Sequence, residues 1–233
     1  MALVLSIDTS INTASVSLAM EGTLLTKEIN TDTKSHGAFI QQAISKLFID
    51  SKRKLSDLDA IAVVNGPGSY TGLRVGLATA KGLCFSLNKP LILLNTLEVL
   101  AQTIIQNWKR VVGEEEMKDY LISPMIDARR MEVFTAIYDS EMKVIESPNA
   151  KVLNAQSFDF LLDKHKIVFT GNGHQKLKEI LIHSNALFID ILDITNTISF
   201  MAEKFICENK VSDLAYCEPF YLKDVYFAEK SKL

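Results

Sequence analysis

The stretch Asn65–Gly76, with the sequence NGPGSYTGLRVG, constrains the fold of this chain more than any other. The apolar run Asp59–Val64 before it is typical of a strand buried on both faces, and the proline-free segment Leu73–Leu87 after it is typical of a helix. Ser69 and Thr71 lie where a helix N-cap is expected. Such a junction leaves backbone N–H groups free beside the positive end of the helix dipole, so it can hold a phosphate or a carboxylate. A tight turn packed under a neighbouring element is the alternative.

Neither of the common phosphate-binding fingerprints is present in this loop. The dinucleotide pattern requires glycine where Thr71 stands, and the Walker pattern requires lysine where Leu73 stands. If this loop binds phosphate without either fingerprint, the candidate contacts are Gly66, Gly68 and Ser69.

Small residues recur along the predicted helix that follows. Gly72, Gly76 and Ala80 are spaced by four, so they share one face and leave a groove into which another helix could sink. A glycine inside a helix costs about 1 kcal/mol relative to alanine, and close packing would offset that cost. The helix that fills the groove could be internal or could belong to another subunit.

The composition is that of an ordinary globular protein. The chain has 233 residues, is 48% hydrophobic and 23% charged, and has a net charge of −3, which argues against gripping nucleic acid unaided. Cys84, Cys207 and Cys217 are widely spaced, which favours buried thiols in a reducing compartment over a zinc site or a disulfide framework. We expect a cytoplasmic protein without a signal peptide or a membrane span, because the N-terminus lacks a basic region and no long apolar run is present.

The hydrophobic pattern predicts two successive α/β lobes, each a mixed sheet with flanking helices. Residues 1–108 show the order βββαβαβα, and residues 109–119 form a charged linker. Residues 120–212 repeat the opening of three strands in a degenerate form, and residues 213–233 form an aromatic tail that packs on the surface.

In each predicted lobe the first strand ends in an aspartate. These are Asp8, which is followed by Thr9 and Ser10, and Asp127. Ligands of open α/β sheets lie at the carboxyl ends of the strands, so the two aspartates are predicted to face each other across a cleft. There they could hold Mg²⁺ and orient a nucleophile. Alternatively, each aspartate only caps the end of a strand.

Four strings along the chain together resemble one protein family. They are IDTS at Ile7–Ser10, NGPGSYTGLRVGLATAKGL at Asn65–Leu83, IDARRMEVF at Ile126–Phe134 and EPFYLKD at Glu218–Asp224. The family is TsaB (YeaZ), the glycoprotease-like accessory proteins of bacterial tRNA threonylcarbamoyladenosine synthesis. The resemblance implies a two-lobed actin-like fold of the sugar-kinase/Hsp70 type.

The resemblance also implies what the chain assembles with. It would be a non-catalytic partner of TsaD, the paralogue that transfers a threonylcarbamoyl group to the adenosine beside the tRNA anticodon, with the ATPase TsaE as a third component and tRNA engaged through the complex. The helices predicted over His36–Ile49 and Thr71–Leu87 would pair with those of TsaD, or with a second copy when the chain is alone. The residues expected at this interface are His36, Phe39, Ile40, Ala43, Leu47, Gly72, Leu73, Gly76, Leu77 and Ala80.

The sequence departs from the catalytic paralogue at the positions of the metal ligands and of the nucleotide-binding loops. That paralogue holds a metal with a His-x-x-x-His pair, whereas His36 is followed four residues later by Ile40. The loop after Asp127 carries Arg129 and Arg130 in place of glycine, and Gly171-Asn172-Gly173 is a minimal match to an adenine-side loop. We therefore expect a degenerate nucleotide cleft without catalytic residues, metal or cofactor, with ATP, Mg²⁺ and the metal on the partner subunits.

Two other functions stay open at this point. An autonomous small-molecule kinase of the same fold would use Asp8 and Asp127 with Mg²⁺. A metallopeptidase, which the glycoprotease name suggests, would need metal ligands, but the other histidines, His165, His174 and His183, lie among polar residues typical of the surface.

Overall fold

The computed structural model describes residues 2–31 and 36–223. The first half of the chain follows the order βββαβαβα. Its elements are β1 (Leu3–Asp8), β2 (Ala14–Met20), β3 (Thr23–Asn30), α1 (His36–Ser51), β4 (Ala60–Gly66), α2 (Tyr70–Leu87), β5 (Leu91–Asn95) and α3 (Thr96–Gln106). Asn95 caps α3 by accepting from the backbone N–H groups of Leu97 and Glu98.

The second half begins with the short helix α4 and repeats the pattern. Its elements are α4 (Trp108–Val111), β6 (Tyr120–Asp127), β7 (Glu132–Tyr138), β8 (Val144–Val152), α5 (Asp159–Leu162), β9 (Lys166–Thr170), α6 (His174–Lys178), β10 (Ala186–Ile189) and α7 (Thr195–Cys207). The strand β8 lies at the edge of its sheet, a position that tolerates Pro148.

The two sheets have the same topology. The strand order is β3-β2-β1-β4-β5 in one sheet and β8-β7-β6-β9-β10 in the other. In each sheet the first three strands form an antiparallel meander, and the fourth and fifth add in parallel. The predicted α/β fold of two lobes, each a mixed sheet with flanking helices, is confirmed.

Two helices join the lobes into one structure. The helix α7 follows the second sheet in sequence but packs on β1, β2, β3 and β5 of the first. The helix α3 contacts β6 and β7 of the second sheet and also packs against α7. The amphipathic α7 buries Ile198, Met201 and Ala202 in a core cluster that includes residues of both sheets. The sequence-based division assigns this segment to the second lobe, whereas its packing partners in the structure belong largely to the first sheet.

The charged segment predicted as a solvated linker is tied to the fold. Glu115 accepts a hydrogen bond from the Trp108 indole through its backbone oxygen at 2.8 Å, and one from the Tyr120 hydroxyl through its side chain at 2.7 Å. Lys166 also pairs with the Glu115 carboxylate. Three contacts on one residue hold the segment against the start of β6.

Candidate functional site

The loop between β4 and α2 is pressed against the end of β1. Ser69 donates its backbone N–H to the Ser10 carbonyl at 2.7 Å, and its side chain caps α2 by accepting from the Gly72 N–H at 3.2 Å. A Cβ on Gly68 would collide with the Ser10 carbonyl, and one on Gly72 with the Thr9 carbonyl. The glycines are thus required because two backbones approach each other closely.

A cleft of about 660 Å³ lies between the lobes, and the N-terminus of α2 opens onto it. Of the residues predicted for the cleft, Ser10, Gly68, Ser69 and Asp127 line it. The cleft is also lined by Ile11, Asn12, Pro67, Tyr70, Thr71, Ile126, Ala128, Arg129, Phe134, Asn172 and residues 220–223. The predicted residues Asp8, Thr9, Gly66, Gly171 and Gly173 lie outside this lining.

Asp8 does not face Asp127 across the cleft, which corrects the sequence-based expectation. Its side chain is buried, and one carboxylate oxygen accepts hydrogen bonds from the Ser10 backbone N–H at 2.8 Å and the Ser10 hydroxyl at 2.7 Å. Burial raises the pKa of Asp8, although the bonds from Ser10 act to lower it. This carboxyl caps the turn after β1, as the alternative interpretation held.

Asp127 is exposed and is held by residues of its own lobe. Its carboxylate accepts from the Arg129 backbone N–H at 2.6 Å and from the Lys176 ammonium at 2.8 Å. Its own N–H donates to the Asn172 side chain at 2.9 Å. Among the described residues, no group of three or more His, Cys, Asp or Glu side chains could hold a metal ion. Because Asp127 lines the cleft and Asp8 does not, the two carboxylates do not converge on one point of it.

The loop after β9 is structural at both of its glycines. Gly171 has a φ of +100°, and a Cβ there would collide with the Met125 carbonyl. His174, which the sequence placed on the surface, is buried: its Nδ1 contacts the Gly171 carbonyl at 2.5 Å and its Nε2 lies 3.3 Å from Asp190. The surface prediction failed because Phe188 stacks on the imidazole ring from β10, a contact that the polar neighbours of His174 in sequence conceal.

The C-terminal segment forms one wall of the cleft and bridges the lobes. Phe220 donates its N–H to the Asn65 carbonyl at 2.9 Å. Tyr221 stacks on Tyr70 at 5.2 Å between ring centroids and accepts a hydrogen bond from Arg74 at 3.0 Å. The predicted packing of the tail on the surface describes this segment up to residue 223, and the rest of the tail lies outside the described residues.

One further contact carries the segment to the other lobe. Lys223 pairs with both oxygens of Glu132, on β7, at 2.6 Å each. The N-lobe end of the segment is thereby linked to the C-terminal lobe across the cleft mouth. Sequence reasoning did not find these cleft residues, although the clustering of Phe220, Tyr221 and Lys223 in the EPFYLKD string was a usable signal.

Most residues predicted at a partner interface are buried within the chain itself. Phe39 is half-buried, and the side chain of His36 lies outside the described part. The buried ones are Ile40, Ala43, Leu47, Gly72, Leu73, Gly76, Leu77 and Ala80. Because Thr9 fills the space in front of Gly72 and Gly76, the small-residue groove is internal and does not receive a helix.

The solvent-facing sides of α1 and α2 carry other residues. On α2 they include Thr71, Ala78, Gly82 and Phe85, and Phe85 is 82% exposed. A Cβ on Gly82 would meet no atom within 4 Å. We call Thr71, Ala78, Gly82 and Phe85 the α2 outer face. It lies beside α1, since a Cβ on Gly37 would approach Val75 at 3.8 Å.

Comparison with known proteins decides the family. The family model described as TsaD, tRNA N6-adenosine threonylcarbamoyltransferase, matches residues 23–223. The TsaB tRNA threonylcarbamoyladenosine biosynthesis protein of Bacillus subtilis is 33% identical, over 76% of this chain and 74% of its own length. The chain belongs to the TsaB family. The TsaB protein of Escherichia coli is 27% identical over 95% of this chain and 94% of its own length.

Solved structures of TsaB-family proteins share the fold. A crystal structure of a Pseudomonas aeruginosa protein with similarity to peptidase YeaZ has a TM-score of 0.79 and 25% identity, over 96% of this chain and all of the other. YeaZ from the same organism has a TM-score of 0.77 and 23% identity, over 95% of this chain.

By contrast, the transferase of Bartonella henselae is 43% identical over only 31% of this chain and 20% of its own length. Within the described residues, no helix has the length and apolarity needed to cross a bilayer.

Proposed function

We propose that the protein is the non-catalytic subunit of a tRNA-modifying complex. It docks on a TsaD-like transferase, which threonylcarbamoylates the adenosine next to the tRNA anticodon. The names of the TsaB relatives and the match to the TsaD family model support the process. In this proposal a TsaE-like ATPase and tRNA join through the complex, ATP, Mg²⁺ and the metal are held by the partner subunits, and the assembly works in the cytoplasm.

The observation that carries the docking proposal is the α2 outer face. Ala78 and Gly82 are exposed one turn apart and carry a methyl group and no side chain, respectively, and Phe85 projects a large apolar ring beside them. Small residues allow the backbone of a partner helix to approach closely, and an exposed aromatic ring is a typical interface anchor. The same face would serve a homodimer when the partner is absent.

The geometry of the cleft supports a role without catalysis. Asp8 is turned away from it, and Asp127 is engaged by Lys176. The chain's own residues 220–223 occupy one wall. General acid–base or metal-assisted chemistry requires a titratable group or ligand set that is free at the reacting centre, whereas Asp127, the predicted carboxylate that lines the cleft, already accepts from Lys176.

The test uses a leucine placed on the α2 outer face. Gly82→Leu fills the open space, and we expect it to weaken co-purification with the TsaD-like protein by roughly tenfold or more, because overpacking a close helix contact costs about 1–3 kcal/mol. Lys178→Leu, at an exposed position of α6 in the other lobe, is the control and should leave association unchanged. Equal affinity of wild type and Gly82→Leu would contradict docking through this face.

A transfer assay tests the non-catalytic role separately. Transferase with the chain should modify tRNA, and the chain alone should not. Measurable threonylcarbamoyl transfer by the purified chain would overturn the proposal.

An autonomous kinase of the same fold is the second candidate, because the N-terminus of α2 opens onto the cleft. Tight, Mg²⁺-dependent ATP binding in calorimetry together with phosphoryl transfer to an acceptor would favour it.

A further inference from the structure

A second, smaller cavity lies apart from the loop-lined cleft, on the opposite side of Ile11. Its volume is about 280 Å³, and it is bounded by the ends of β1 to β3 and by the segment that leads into α7. Ile11, Ile29, Ile191, Leu192 and Ile194 provide aliphatic walls. This volume lies just below the range of about 300–1,000 Å³ that is usual for small-molecule sites, so only a very small ligand fits; apolar walls with a few converging polar groups are the usual lining of such sites.

The polar group that distinguishes this cavity is the carboxyl of Asp8. Asp8 lines the cavity and is only 2% exposed. Both hydrogen bonds from Ser10 go to one of its oxygens, Oδ1, and no described residue donates to Oδ2. Oδ2 is also not among the oxygens that are fully enclosed without a partner. Because Asp8 belongs to the cavity lining and Oδ1 is taken by Ser10, Oδ2 is the oxygen of this carboxyl that we assign to the cavity.

The other ionisable group of the lining is already satisfied. Asp193 pairs with Lys27 and accepts from the Thr195 backbone N–H at 3.0 Å and hydroxyl at 2.7 Å. The cavity therefore contains two carboxyls, while Lys27, its charged neighbour, is committed to Asp193. A cation is the charge that this lining favours, since an ammonium beside a buried carboxylate offsets the cost of burying it.

The aliphatic walls exclude a bare metal ion as the preferred occupant. Hard cations prefer a shell of six or more oxygen ligands, water included, and five of the ten residues that line this cavity are aliphatic. We infer that this cavity binds a small primary ammonium compound with a branched aliphatic body, whose ammonium group donates to Asp8 Oδ2 and whose alkyl group packs on the isoleucine walls. This inference does not depend on the proposed partner.

The experiment follows the isoleucine methyl signals of the full chain by NMR. Isobutylammonium chloride is the probe, and isobutanol is its neutral isostere. We expect the ammonium to shift the δ1-methyl signals of Ile11, Ile29, Ile191 and Ile194 saturably in the millimolar range. Isobutanol should bind roughly tenfold more weakly, because a charge-assisted hydrogen bond is about twice as strong as a neutral one. No saturable shift, or equal binding of the two probes, overturns the inference.

Two variants distinguish recognition of the ammonium group by Asp8 from nonspecific binding of the probes to apolar surface. Asp8→Asn keeps an oxygen that can accept from Ser10 but removes the charge, so ammonium binding should fall to the level of isobutanol. Ile29→Trp fills the cavity from a strand position that is 45% exposed and should abolish binding of both probes. If Asp8→Asn does not fold, Ile29→Trp decides the outcome. Undiminished ammonium binding in either folded variant overturns the inference.

Discussion

Two glycines on α2, six residues apart, should respond in opposite directions to the same substitution. Gly76 is buried and faces Thr9, whereas Gly82 is exposed and faces no atom within 4 Å. Gly76→Ala and Gly82→Ala therefore test whether the internal contact of α2 requires glycine. Because both residues lie in the same helix, the gain in helix propensity is the same for the two variants.

The magnitude follows from three contributions. A Cβ at Gly76 would overlap the Thr9 hydroxyl, which donates to the Gly72 carbonyl at 2.7 Å. Overpacking costs about 1–3 kcal/mol, and loss of that buried hydrogen bond costs about 1 kcal/mol more. Replacing a helical glycine recovers about 1 kcal/mol. Gly76→Ala should therefore lower the free energy of unfolding by about 1–3 kcal/mol, whereas Gly82→Ala should raise it by up to about 1 kcal/mol.

Thermal unfolding of the purified variants measures this difference. For a chain of this size, 1 kcal/mol corresponds to about 2–4 °C, so the two melting temperatures should differ by roughly 5–15 °C. Thr9→Ser in the Gly76→Ala background removes a methyl group and frees the hydroxyl to rotate, so it should recover part of the loss. If Gly76→Ala and Gly82→Ala shift the melting temperature by the same amount and sign, the close contact with Thr9 is wrong.

Three further predictions address single groups. Burial raises the pKa of Cys84 to about 12, so iodoacetamide at about pH 8 should label the exposed Cys207 and spare Cys84 until the chain unfolds. Lys223→Ala removes the ion pair with Glu132 and should speed deuterium exchange in residues 218–223, with unchanged exchange contradicting the bridge across the cleft. Because the pKa of Asp8 is raised above 3.8 in the fold, its stabilising contribution is present at low pH and is lost as pH rises. The free energy of unfolding of wild type minus that of Asp8→Asn should therefore fall from about pH 4 upward in denaturant titrations, and a rise would contradict the burial of this carboxyl.

The element order could be predicted from the sequence because local signals mark many of the elements. The Ser69 and Asn95 caps, the apolar run before Asn65, and the meander at the start of each lobe all lie where pattern and turn chemistry indicate them. Those signals act over a few residues and do not depend on the rest of the chain.

The segment against which each helix face packs could not be predicted in the same way. The spacing of Gly72, Gly76 and Ala80 correctly indicated a close contact. However, a packed helix and the turn after β1 both require small residues on this face, so the spacing does not distinguish between them. His174 was misplaced because its stacking partner Phe188 is on another strand. Contacts between segments distant in sequence leave no periodic trace, so these assignments need coordinates.

The close contact of α2 also explains why two topologically equivalent aspartates differ. After β1, Thr9 and Ser10 are drawn under the long helix α2 by the Thr9–Gly72 and Ser10–Ser69 hydrogen bonds, and this buries Asp8. After β6, the corresponding helix α6 has only 5 residues, and the chain turns outward through Arg129, whose φ is +69°. Asp127 therefore stays exposed and pairs with a lysine. In the first repeat the carboxyl at the end of β1 therefore lines the smaller cavity, whereas in the second repeat the carboxyl at the end of β6 lies in a surface turn. For this reason the duplicated fold does not bring the two carboxylates together as a symmetric phosphoryl-transfer site would need.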